Sequence, residues 1–312
     1  MNKFVILADV TSDMSAEIRE YFEINDYISG YVNFGDRGEY VTRLEWDCFT
    51  REEFYKALSD KKTRISTSPA SPEEYYEKIK AYAAEGYDVL SITLSSLVSS
   101  THNVAATAVK RVQEEYPERV IYCLDSCRMS AGFGLLVAYA HILKNEGKSI
   151  AEVIDWIEEN KCRVHQMGPI DDLMFVARRG RISTGKAIMG SFAGVKPMGD
   201  CNSEGYVTVL TKAKGIKKAL RLTVEYVRRS AKDIENNYVF ISHSNREQYA
   251  LELAEMMEKE LHPKRVFVTD VYSASGTNIG PGMICAYYFG EPISDDGAAE
   301  KEFMNKAAEA CL

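Results

Sequence analysis

The chain has 312 residues, 46% of them apolar and 27% charged, proportions that exclude a disordered, collagen-like or coiled-coil protein. Thirty-eight Lys and Arg against 46 Asp and Glu leave a net charge of -8, which argues against a broad nucleic-acid footprint. Length predicts about two domains, and no apolar run approaches the ~20 residues of a membrane span. Seven cysteines scattered through a chain long enough to fold without staples predict reduced thiols and a cytoplasmic protein.

The elements follow in chain order. Lys3 to Ala8 is an apolar run that ends at Asp9, Thr11 and Ser12, after which Met14, Ile18, Tyr21 and Phe22 recur at helical spacing. Residues 28 to 48 mix Gly30, Gly35 and Gly38 with aromatic and β-branched residues, which predicts a small hairpin excursion. Helices are predicted over Arg51 to Ser59 and, after the breaker SPASP, Pro72 to Ala84. The strand, polar loop and helix pattern returns at Tyr87 to Leu94 with a helix from Thr101 through Val112. A third copy is Val120 to Leu124 with the helix SAGFGLLVAYAHIL. Repeated units of this kind predict a parallel sheet with covered faces.

A helix over 150–160 leads to a stretch near Cys162 to Gly168 that is taken as the domain boundary, dividing the chain into 1–164 and 165–312. The second half reads as an apolar segment Leu173 to Val176, a basic turn RRGRIS and a small-residue helical segment to Ala193. Strands follow around Val195 and over Tyr206 to Leu210, then a helix Lys217 to Ser230 and the strand YVFISHS. A helix Arg246 to Leu261 and the strand RVFVTDV complete the pattern. The fold class is therefore α/β: an N-terminal, Rossmann-like parallel-sheet domain with a small β-hairpin insertion, and a C-terminal α+β domain.

Ligands of open parallel sheets bind beyond the carboxyl ends of strands, and Ser95, Ser96, Ser99, Ser100 and Thr101 lie where such a strand hands over to a helix. Amide groups, the helix dipole and hydroxyls there suit a carboxylate or phosphate. Helix capping by Ser99 or Ser100 explains the same residues. Thr67-Ser68, ahead of Pro69 and Pro72, lies in a loop held extended by proline, and Asn278 to Gly282 (NIGPG) lets backbone approach something closely; a rigid turn accounts for either equally.

In combination these segments resemble the DegV family of bacterial fatty-acid-binding proteins over nearly the whole chain. The family's opening Asp-Ser-Thr-type segment corresponds to Asp9 to Ser12, with Val10 where serine is usual. Its TSQPSP corresponds to TSPASP from Thr67 to Pro72, and its SSxLSGTY to SSLVSSTH from Ser95 to His102. Its Asp-Ser pair corresponds to Asp125-Ser126, its GGRIS to RGRIS from Arg179 to Ser183, and its HxGPG to NIGPG from Asn278 to Gly282. The resemblance implies a carrier, not itself an enzyme, that buries one long-chain fatty acid between its domains. It presents the carboxylate to a separate fatty acid kinase for acyl-phosphate formation, within phospholipid metabolism and with no cofactor. By matched position, Thr67 and Ser99 hydrogen-bond the carboxylate, with Ser100 in place of the motif's glycine and Asn278 in place of its histidine. Arg181 lies on the surface that meets the kinase.

Two further features bear on this expectation. Ala131, Gly132 and Gly134 leave room beside their helix for a slim acyl chain, or else allow close helix-to-sheet packing. Arg178, Arg179 and Arg181 form a basic cluster that is either a solvated face or a partner contact. Other chemistries lack their motifs: no GxGxxG, no GxSxG elbow around Ser242-His243-Ser244, and no second ligand pair beside Cys123 and Cys127. The rival readings are a phosphotransferase or hydrolase acting at Ser95 to Thr101, and a binder of another anionic amphiphile.

Overall fold

The computed structural model describes residues 3–60, 62–182 and 194–311. In the first half it contains β1 (Phe4–Asp9), α1 (Ala16–Tyr21), β2 (Tyr27–Ile28), β3 (Gly30–Phe34), β4 (Glu39–Thr42), α2 (Arg51–Ser59) and β5 (Ile65–Pro69). These are followed by α3 (Pro72–Ala84), β6 (Asp88–Thr93), α4 (Thr101–Glu115), β7 (Ile121–Asp125), α5 (Ser130–Asn145) and α6 (Ile150–Asn160). The second half contains β8 (Val164–Pro169), α7 (Leu173–Arg178), β9 (Val195–Cys201), β10 (Val207–Lys214), α8 (Ile216–Ser230) and β11 (Tyr238–His243). It ends with α9 (Glu247–Leu261), β12 (Arg265–Asp270), α10 (Ser273–Ile279), β13 (Ile284–Phe289) and α11 (Ala298–Glu309).

The three strand-then-helix units form a parallel sheet in the order β2-β1-β6-β7. A six-stranded mixed sheet, β10-β9-β8-β13-β11-β12, belongs to the second half, and an antiparallel sheet β4-β3-β5 projects from the first. The chain is thus α/β, with layers fixed by which face of each sheet is apolar. Leu7, Val89 and Ile121 pack under α3 and α4, while Val239, Ile241 and Ala286 pack under α8, α9 and α11. Between the sheets lies α5, apolar all round and buried from Ser130 to Ala138, as a helix covered on every side must be. Its Phe133, Leu136 and Val137 join Ile6 and Ile92 of one sheet to Phe240 and Tyr287 of the other in a single core.

Four segments take a form that the sequence reading did not give them. Thr67 and Ser68 are not in a loop: they lie in β5, which pairs antiparallel with β3 and makes the predicted hairpin a three-stranded sheet. Pro69 is tolerated because it ends the strand. The boundary stretch Cys162 to Gly168 is a short turn followed by β8, buried along its whole length. Leu173 to Val176 is the start of α7, whose Asp172 accepts the Phe175 N–H. Finally, β13 and α11 had no counterpart in the sequence reading. The small-residue segment up to Ala193, with Ser183, lies outside the described residues. No helix among the described residues is long and apolar enough to cross a membrane.

The room expected beside α5 is filled. A β-carbon on Gly132 would lie 2.7 Å from the Tyr287 ring, and one on Gly134 would lie 2.5 Å from the Ser12 carbonyl oxygen and 2.9 Å from Met14 Cγ. Helix propensity favours Ala over Gly by ~1 kcal/mol, yet both positions are glycine because the helix touches a sheet or its loop on either side. Gly134→Ala is expected to destabilise the protein by about 1–3 kcal/mol through overpacking, despite its better helix propensity. Urea denaturation checks this; a neutral or stabilising result would show that the contact yields.

Candidate functional site

One cavity opens between the small sheet, the loop after β6, α10 and the six-stranded sheet. Its empty volume, with the mouth included, is about 1330 Å³, and its walls are mostly apolar. Thr67, Ser99, Ser100 and Asn278 all line it, brought there by β5, the β6–α4 loop and α10. The Asn278 Nδ2 donates to Thr67 Oγ1 at 3.2 Å and to the Ala274 carbonyl at 3.4 Å.

Ser99 lies at the start of α4 and on the cavity wall, where both of its sequence readings place it. Its hydroxyl oxygen accepts the Thr101 N–H at 3.2 Å and lies 2.8 Å from Thr101 Oγ1. One hydroxyl proton of this pair is used between them, which leaves the other to donate into the cavity. Ser100 is the N-cap residue of α4 by position, but its side chain makes no capping bond. The cluster therefore offers neutral donors, and the positive end of a four-turn helix stands behind it.

The other predicted residues divide. Arg181 is half-buried and lines the cavity, its guanidinium donating to the Arg179 carbonyl. Arg178 is exposed and pairs with Asp172 at 3.5 Å, while Arg179 lies over the Phe175 ring; both are outside the cavity lining. Ala131, Gly132 and Gly134 are also outside it, because the α5 glycines serve packing. The glycines of NIGPG serve close approach to protein rather than to a ligand. At Gly282 (φ +100°) a β-carbon would fall 2.4 Å from the Asp171 side chain, and at Gly280 (φ +78°) 2.7 Å from the Phe175 ring.

Two carboxyls flank the cavity. Asp9 lines it, and burial pushes its pKa up against hydrogen bonds from the Thr11 hydroxyl, the Thr11 N–H at 2.9 Å and the Leu94 N–H at 3.3 Å. Asp13 is sealed behind it. Its oxygens accept the Ser130 hydroxyl at 2.6 Å and the Tyr272 N–H at 3.0 Å, and Thr269 Oγ1 donates to its carbonyl at 2.7 Å. Burial pushes Asp13 up to about 8.

Hydrolase chemistry finds no support in the placement of its candidates. Ser242 bonds Tyr287 and Ser130, Ser244 accepts the Met283 N–H, and buried His243 lies beside Asp270 at 3.5 Å along a separate groove. Burial pushes the Cys123 thiol up to about 12, which removes its nucleophilic form near neutral pH. Among the described residues no three His, Cys, Asp or Glu side chains converge on a metal position.

The cavity floor was invisible in the sequence: Gln166 and Gly168 of β8, Gly199 of β9, and Cys285 and Tyr287 of β13. The only available signal was the pair of glycines in strand segments. Gly168 and Gly199 sit directly opposite each other, and a β-carbon on either would strike the neighbouring backbone at 1.9 Å or 2.2 Å. There β8 lies between β13, which it pairs from Val164 to Met167, and β9, which it pairs at Gly168 and Pro169, so neighbouring backbone crowds both glycines under the cavity.

The profile of the DegV family, described as an uncharacterised protein family, matches residues 3–291. The DegV domain-containing protein CPE0026 of Clostridium perfringens is 31% identical over 291 residues, 93% of this chain and 99% of that protein. Among solved structures, a DegV family protein of Thermus thermophilus, described for fatty acid binding, superposes with a TM-score of 0.81 at 25% identity, covering 93% of this chain and all of that one (100%). The fatty acid kinase B3 protein of Streptococcus pneumoniae, loaded with linoleic acid, superposes with a TM-score of 0.75 at 17% identity over 93% of this chain and 100% of that one.

The raised Asp13 gives a pH dependence of defined sign. Its folded value of about 8 exceeds the ordinary 3.8, so its contribution to stability is fully present below pH 3.8 and is lost as pH rises to about 8. Asp13→Asn keeps an amide in the same left-handed turn (φ 48°) without the titration. Across that range the urea midpoint of the wild type should fall relative to that of the variant. Parallel curves would show that Asp13 ionises normally.

Proposed function

This chain belongs to the DegV family, and we propose that it binds one long-chain fatty acid in the cavity and presents the carboxylate to a separate fatty acid kinase for acyl-phosphate formation. The observation that carries this reading is a mostly apolar cavity with the neutral groups Thr67, Ser99, Ser100 and Asn278 gathered on its wall, where Asn278 donates to the Thr67 hydroxyl oxygen and leaves the Thr67 proton for a carboxylate. Each buried methylene contributes ~0.8 kcal/mol, so a long acyl chain supplies most of the affinity and the donors supply orientation. The proposal divides the chain at 164/165, where the six-stranded sheet begins with β8, and places the acid between the two parts.

A carrier role is supported by what the donors engage. Ser99 bonds Thr101, Thr67 bonds Asn278, and among the described residues neither is paired with a base. The half-buried Arg181 and exposed Arg178 supply positive charge near the cavity in an acidic protein, a suitable surface for a kinase that handles ATP. The descriptions of the Thermus thermophilus and Streptococcus pneumoniae proteins point to the same ligand class. A cytoplasmic location follows from the proposed kinase reaction.

Organic extraction and mass spectrometry of the purified protein should release a long-chain fatty acid. Release of no acyl ligand, with no thermal shift on adding fatty acids, would overturn the reading, and turnover of ATP or an ester by the chain alone would favour the enzyme alternative. Ser99→Ala and Thr67→Val should each weaken fatty-acid binding by roughly 1–3 kcal/mol, the scale of a hydrogen bond to a charged group.

The basic cluster is tested separately. Arg178→Glu should slow phosphorylation by a cognate kinase and leave fatty-acid affinity unchanged, because the side chain is exposed and outside the cavity. Arg181→Glu should impair both, because Arg181 lines the cavity. Equal kinase rates for wild type and Arg178→Glu, measured at subsaturating carrier, would remove that residue from the docking face.

A further inference from the structure

The cavity floor carries a polar side chain that neither the carboxylate donors nor the fold accounts for. Gln166 lies directly opposite Tyr287 across β8 and β13, and both line the cavity. Strand alternation sends its neighbours to the other face. There His165 bonds Asp200 at 2.5 Å, and Met167 packs in the core under α8 and α9. Gln166 is itself 7% exposed.

The Gln166 backbone N–H donates to Asp200 Oδ1 at 2.8 Å, but among the described residues its side-chain amide has no hydrogen-bond partner. Nearby polar groups are already engaged: Ser130 donates to Asp13, and the Tyr287 hydroxyl accepts from Ser242. An amide offers two donors and an acceptor, and leaving them unmade against methylenes is costly. Methionine, of similar length, or leucine would suit a plain hydrocarbon better at this place. A hydroxyl on the acyl chain satisfies both ends of the amide at once, giving its proton to Oε1 and accepting from Nε2.

We infer that the cavity is fitted to a hydroxylated long-chain fatty acid, with Gln166 reading the hydroxyl group along the chain. The inference rests on the proposed function, in which Thr67, Ser99, Ser100 and Asn278 hold the carboxylate, and it names the substrate class of that site. The head donors and Gln166 then form a two-point recognition. Only isomers whose hydroxyl reaches Gln166 gain from it.

The test is calorimetric titration of the delipidated full chain with stearic acid and with a series of its mid-chain monohydroxy derivatives. One hydroxy isomer, or a few adjacent ones, is expected to bind about tenfold more tightly than stearic acid, the worth of one net hydrogen bond. Gln166→Leu is expected to abolish that preference while keeping or improving affinity for stearic acid. The wild-type series is decisive even if the variant does not fold. Stearic acid binding as tightly as every hydroxy isomer would overturn the inference and leave the fatty-acid reading standing, with water satisfying the amide. A preference that survives in Gln166→Leu would also overturn it. Failure of both ligand classes to bind would sink the fatty-acid reading and this inference with it.

Discussion

The structure depends on one helix held between two sheets. A glycine two residues from another on α5 faces the opposite way: Gly132 meets Tyr287 of the six-stranded sheet, and Gly134 meets the loop after β1. With no β-carbon at either place, the halves approach as closely as backbone and ring allow, and one apolar core runs through both. The cavity is what remains beside the N-terminal end of this clamp, where Met129 and Ser130 form part of its wall. Its shape is therefore set by packing between the halves.

The polar counterpart of this clamp is Asp13. Placed in a left-handed turn just after β1, it receives a hydroxyl from the start of α5 and a backbone N–H from the start of α10. Burial keeps the group protonated over much of the neutral range, so a neutral, hydrogen-bonded carboxyl rather than an ion occupies the joint. This avoids the cost of an unpaired charge between two apolar layers. It also ties α10, which carries Asn278, to the loop that follows β1. The donor side of the cavity is thus fixed by a network outside it.

What could be read from the sequence followed local chemistry. The ends of α2, α3 and α6 were legible because Thr50 with Glu53, Ser71 with Glu74 and Ser149 with Glu152 form reciprocal capping boxes. β8 and β13 were not, because both of their faces are buried and VHQMGP and ICAYYF carry no alternation. Thr67 and Ser68 were masked by the prolines that follow, and their strand emerges only through pairing with β3, more than thirty residues away in the chain. The donors Thr67, Ser99 and Asn278 came from ordered motifs, whereas Gln166, Gly168 and Gly199 lie where no motif was recognised. The glycines of α5 could not be assigned from sequence at all, since close packing and an acyl groove require the same residue type.

The two sides of the cavity come from elements with different constraints. The donors stand on the middle of β5, a loop and the seven-residue α10, of which β5 and α10 are joined by the Asn278–Thr67 hydrogen bond. The floor belongs to a sheet in which Gly168 and Gly199 lie against neighbouring backbone, where no adjustment is possible without moving a strand. A ligand that spans both would add contacts between these elements that the folded chain lacks, and would stabilise them by mass action in proportion to its affinity. In the proposed carrier, neutral donors at the head suit transfer better than a fully buried lysine or arginine would, and Arg181, which also lines the cavity, is only half-buried. A carboxylate held by hydroxyls and a helix terminus would keep its charge and one exposed lone pair available to a second protein, whereas a desolvated ion pair would have to be broken before transfer. In the proposed reaction, tight burial of the chain and weak, neutral restraint of the head are complementary requirements, and the cavity separates them onto different elements.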